Sequence, residues 1–121
     1  MNNKEKELAH KWLEKILSVD FDGRDIVLEQ LKLANMTLSR HYAYVDVEFH
    51  FEKDVPLLPW KRGVPISMDA LQKNKAPIIF VLHVNESIIT ALEVCTADSS
   101  KLDIYDVELE LLEHFVHRKH K

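Results

Sequence analysis

From Val45 to Glu52 the chain alternates without a break, and no other stretch constrains the fold as tightly. Val45, Val47, Phe49 and Phe51 fall on one side, and Asp46, Glu48, His50 and Glu52 on the other. A period of two belongs to an extended strand with one face against a core and one face wet. A helix would scatter the same residues around its axis. A half-wet strand belongs in turn to an antiparallel sheet, because parallel sheets are covered on both faces and read as continuous apolar runs.

The rest of the chain supplies the cover. Over residues 4–18, Leu8, Trp12 and Ile16 recur every four residues with Leu13 and Leu17 beside them, which predicts an amphipathic helix. A second helix is expected from Asp22 as N-cap, with Asp25 in its first turn and Phe21 and Ile26 spaced as a hydrophobic staple. Its core face would be Ile26, Val27, Leu31 and Ala34, and Asn35 its stop. Met36–Arg40 reads as a weaker strand, turning at His41-Tyr42-Ala43. Pro56, Pro59, Gly63 and Pro65 break up residues 54–76, leaving one helical turn expected over Ser67–Lys73. Pro77–Val84 is almost continuously apolar and reads as a central strand buried on both faces.

Asn85-Glu86 is the expected turn of a hairpin returning over Ser87–Thr96, with Leu82 opposite Ile89 and Phe80 opposite Ala91. The last segment fits two periods. Val107, Leu111 and Phe115 suit a helix; Val107, Leu109 and Leu111 between Glu108 and Glu110 suit a strand. The sum is one α+β domain over residues 1–121: two N-terminal helices packed on a mostly antiparallel sheet of four to five strands.

Composition narrows the function. With 46% hydrophobic residues the chain can build a core without metals or disulfides, and its one cysteine, Cys95, suits a small buried role in a reducing compartment. The formal charge of −4 with scattered Lys and Arg argues against nucleic-acid binding. The longest purely apolar run, Ile78–Leu82, is far short of a membrane span, and the N-terminus lacks a secretory signal, so a cytoplasmic protein is expected. Only two glycines, Gly23 and Gly63, are present, which excludes a Gly-rich phosphate loop. No cofactor motif is found. Seven histidines predict a surface whose charge changes between about pH 5 and 7.

The candidate sites have plain readings beside them. Asp46, Glu48, His50 and Glu52 line one strand face about 7 Å apart. They could hold a divalent ion, exchange protons, or dock a basic partner, or be the wet face that any half-buried strand presents. Trp60, Lys61 and Arg62 sit on a Pro-stiffened loop with the composition of a binding hot spot, unless Trp60 folds back onto the core. His114, His117 and His120 repeat every third residue but lack partners for a tetrahedral metal site. His83 within its apolar strand reads as a core histidine.

Four stretches together resemble a family of small uncharacterised bacterial proteins. They are Phe21-Asp22-Gly23-Arg24 leading into Glu29-Gln30-Leu31; Val64-Pro65; Ile79-Phe80-Val81-Leu82-His83-Val84; and Leu92-Glu93-Val94 with Ala97-Asp98-Ser99-Ser100. The family pattern runs FxGRxxLxxQL, VP, LLHV, a tight turn, LEI and ADGS, and the match spans residues 20–102 in pieces. The chain departs from it at Ser99, where Gly is usual, and at Asn85-Glu86, where Asp-Gly is typical. The resemblance implies a helix followed by an antiparallel sheet and carries no activity or catalytic residue. By analogy such small acidic proteins are similar to immunity partners of bacterial toxins.

The reading is therefore a non-enzymatic protein-binding module, monomeric or homodimeric, with a basic protein partner. An immunity-type protein that neutralises a bacterial toxin domain is one form of it. The alternative is a small enzyme or a metal- or ligand-binding domain using the Asp46/Glu48/His50/Glu52 face.

Overall fold

The computed structural model describes residues 1–121. Two helices, α1 (Asn3–Ile16) and α2 (Arg24–Leu33), precede six strands: β1 (Asn35–Arg40), β2 (Tyr44–His50), β3 (Ile66–Ala70), β4 (Ile78–Asn85), β5 (Ile88–Thr96) and β6 (Leu112–Val116). The strands form one sheet in the order β1-β2-β5-β4-β3-β6, and every pairing is antiparallel. No helix is long and apolar enough to cross a membrane.

The helices begin for different reasons. In α1 the Asn2 side chain accepts the Glu5 N–H while the Glu5 carboxylate accepts the Asn2 N–H, a complete capping box. Its apolar stripe then buries Ala9, Trp12, Leu13 and Ile16. The expected Asp22 cap of α2 is not used. Gly23 caps it instead, at φ +96, a left-handed conformation natural to glycine. A side chain there would also meet Leu58, whose Cδ2 is 2.6 Å from the position of a Cβ. The buried face of α2 centres on Val27 and Gln30, with Ile26 and Leu31 only packed against its edge.

Gln30 ties the chain together. Its Oε1 accepts the Ile89 N–H at 3.0 Å, and its Nε2 donates to the Pro56 and Ser87 carbonyls at 2.7 and 3.0 Å. Helix, loop and hairpin are thereby fixed by one fully buried amide.

Several expectations change. The stretch read as a helical turn is β3, whose Ile66, Met68 and Ala70 are buried in alternation. The ambiguous C-terminal segment resolves into a short 3₁₀ turn (Ile104–Asp106) and β6, so the sheet has six strands rather than four to five. The hairpin turn lies one residue later than expected, on Glu86 and Ser87, both at positive φ, as a two-residue primed turn requires. A bulge beyond His83/Val84 then brings Leu82 opposite Leu92 and Phe80 opposite Val94. It lets Ile89 and Leu92, three apart, share the buried face.

β4 is not buried on both faces. Ile78, Phe80, Leu82 and Val84 enter the core, while Ile79, Val81 and His83 are half-buried on the other side. Both helices lie on one face of the sheet, where Trp12 meets Phe80 edge-on and Leu102 and Ile104 join the same core. The opposite face carries no helix.

Candidate functional site

Strand register lays out the uncovered face row by row. The first row, from β2 to β6, reads Tyr44, Cys95, Ile79, Asp69, Glu113. The second, from β1, reads Ser39, Asp46, Glu93, Val81, Ser67, Phe115. The third reads Thr37, Glu48, Ala91, His83.

Two features set these rows apart from an ordinary wet face. First, two like-charge pairs stand directly opposite each other: Asp46 against Glu93 across β2 and β5, and Asp69 against Glu113 across β3 and β6. Such pairs destabilise a sheet. Burial raises the Asp46 pKa above its ordinary value, and the Glu93 charge raises it further. Asp69 is raised in the same way, by burial and then by Glu113. Second, no strand position on this face bears Lys or Arg. Its groups able to become cations are imidazoles. His83 Nε2 lies 3.0 Å from Glu93 Oε1, His50 Nε2 lies 2.9 Å from Thr37 Oγ1, and His117 Nε2 lies 2.8 Å from Ser67 Oγ.

The centre of the face is apolar. Ile79, Val81, Ala91 and Cys95 are half-buried, and Tyr44 and Phe115 at its margins are each 38% exposed. Burial pushes the Cys95 thiol pKa up, which keeps it protonated and unreactive.

The structure thus keeps Asp46, Glu48 and His50 together and adds Glu93, Asp69 and Glu113. Ser39 donates to Glu48 Oε1 at 3.1 Å, and Glu48 Oε2 lies 3.9 Å from His50 Nε2. Glu52 lies past the end of β2 in an exposed bend. No three His, Cys, Asp or Glu side chains converge in a way that could hold a metal ion.

Trp60, Lys61 and Arg62 stand apart from this row. Their loop is bonded to the β4–β5 turn through Leu58 N–H to Ser87 O at 3.0 Å and Ser87 N–H to Lys61 O at 2.8 Å. Trp60 is 7% exposed, packed by Gly23 and covered by the Arg118 guanidinium 4.5 Å from its ring centroid. It belongs to the core; Lys61 and Arg62 are exposed at the end of the hairpin.

The three C-terminal histidines also diverge. His114 Nε2 lies 2.7 Å from the Lys15 carbonyl, His117 faces Ser67, and His120 Nε2 lies 3.0 Å from Asp20 Oδ2. Only His114 lies in β6; His117 and His120 follow its end, and no helix forms to bring the three together. His83 is likewise no core histidine but lies on the open face beside Glu93.

Glu93, Asp69 and Glu113 were missed from sequence for different reasons. Glu93 does alternate with Leu92 and Val94, a visible signal. Asp69 lay in a stretch read as helical, and Glu113 in one whose period was undecided. No family model, curated protein or solved structure matches the chain.

Proposed function

We propose that this chain is a non-enzymatic protein-binding module whose open sheet face docks a basic protein partner. Occlusion of a toxin domain by an immunity-type protein is the form of this function we favour. The observation that carries it is the pair of directly opposed carboxylates, Asp46/Glu93 and Asp69/Glu113, on a face without Lys or Arg. Directly opposed like charges weaken a sheet, and the places where a natural chain breaks such a local rule are expected to be functional or strained sites. A basic partner would neutralise them and would be steered to the face by their field.

The test uses the immobilised chain as bait in extract of its native host at low salt. A basic protein recovered at near-equal stoichiometry, released by rising salt and not retained by the Asp46→Asn/Glu113→Gln variant, supports the reading. Recovery of no stoichiometric partner, or of one held equally by the variant, counts against it.

A further inference from the structure

The open face has the layout of a seat for one helix, and we infer that the partner's docking element is a basic amphipathic α-helix laid diagonally across the sheet. This inference rests on the basic-partner reading above and names the element that reads the face.

The apolar residues do not form a patch of arbitrary outline. They run as a band from Tyr44 on β2, through Cys95 on β5 and Ile79 and Val81 on β4, past the small hydroxyl of Ser67 on β3, to Phe115 on β6. Asp46, Glu48 and Glu93 lie along one side of that band, and Asp69 and Glu113 along the other. An apolar stripe between two acidic margins is the complement of a helix with an apolar stripe between two basic flanks.

The dimensions agree. Tyr44 and Phe115 stand four inter-strand steps apart, which at ~4.8 Å per step is about 19 Å. A helix rising 1.5 Å per residue covers that in about 13 residues, between three and four turns. Its Lys and Arg stems would lie on the sheet beside the stripe and carry their charges outward to the carboxylates. A helix there would also complete a three-layer arrangement, since α1 and α2 already cover the other face.

The probe is a 14-residue fluorescent peptide with leucines at helical spacing and lysines on both flanks. Its control is a permuted peptide of identical composition and charge without the stripe. Affinities for the intact protein are read by anisotropy, helix formation by circular dichroism, and the binding surface by amide chemical shifts. The expected result is that the striped peptide binds at least about tenfold more tightly than the control and becomes helical on binding. Glu113→Gln and Asp46→Asn, which lie on opposite margins and are isosteric with the parent residues, should each weaken it several-fold, as should Val81→Ser. Equal binding of the two peptides would overturn the helix inference and leave the basic-partner reading standing. Binding of neither peptide at low salt would sink both. Shifts centred on the α1–α2 side instead of β4 and β5 would also overturn the inference.

Discussion

Replacing Asp46 by Asn should stabilise the fold while weakening the proposed binding of a basic partner, and the stability effect can be identified by its pH dependence. Asp46 makes no hydrogen bond that Asn would lose, and it directly opposes Glu93 on β5. Cross-strand pairs contribute roughly 0.2–1 kcal/mol, with the sign reversed for like charges directly opposite. The substitution should therefore add a few tenths to about 1 kcal/mol at pH 7, or about 1–4 °C in Tm for a chain of this length. The sign of the pH dependence follows from the raised Asp46 pKa, caused by burial and then by Glu93. An aspartate with a raised folded-state pKa favours the fold in its protonated form. That contribution is complete below the ordinary Asp pKa and is lost as pH rises through the raised value. Asn mimics the protonated state, so its advantage should be present at pH 7 and vanish near pH 3. Denaturant melts of the parent, Asp46→Asn, Glu93→Gln and the double variant at both pH values would close the cycle. A loss of stability at pH 7, or an equal gain at pH 3, would refute the argument that charge opposition on this face costs stability.

Gln30→Leu should cost on the order of 3 kcal/mol or more in denaturant unfolding, because the Ile89 N–H and the Pro56 and Ser87 carbonyls lose their partner inside the core. Gly23→Ala should cost about 1–2 kcal/mol from its left-handed backbone alone, with the encounter with Leu58 added; an unchanged midpoint would refute the role assigned to that cap. Asn2→Ala should remove about 1 kcal/mol and fray the first turn of α1 in amide exchange.

Where one physical rule dominated a segment, the sequence was legible. The strict alternation of β2 placed Val45, Val47 and Phe49 inside and Asp46, Glu48 and His50 outside, and the structure agrees residue by residue. The stripe of α1 was equally plain. Legibility failed where two rules competed. Ile66–Ala70 alternates as a strand, but its apolar residues are only Ile66, Met68 and Ala70 and it follows three prolines and a glycine, so a short turn fits the local sequence as well. Its identity as β3 depends on β4 and β6 on either side, which no local window contains. Pro77–Val84 looked buried on both faces because Ile79 and Val81 are apolar, yet those residues face outward. The opposition of Asp46 to Glu93 and of Asp69 to Glu113 is a matter of strand register, β2 with β5 and β3 with β6, which lies outside any local window.

The placement of the covering material explains why the open face can bear its charges. Both helices, the Leu58–Trp60 loop and the Leu102–Ile104 segment pack into a single core on one side of the sheet. The other side is left with half-buried apolar residues on β4 and β5, flanked by exposed Tyr44 on β2 and Phe115 on β6. Such a band on a bare sheet would invite a second copy, since the face is uncovered and apolar at its centre. Like charges on both margins oppose that association, because two identical faces would bring Asp46, Glu93, Asp69 and Glu113 against one another. On the basic-partner proposal, the carboxylates that oppose one another across the strands would reject the chain's own copy while admitting a cationic surface. Substituting Asp46, Glu48, Asp69, Glu93 and Glu113 together with Asn or Gln should convert the protein into a concentration-dependent self-associating form by sedimentation velocity. A variant that stays monomeric at high concentration would show that the charges do not serve this exclusion.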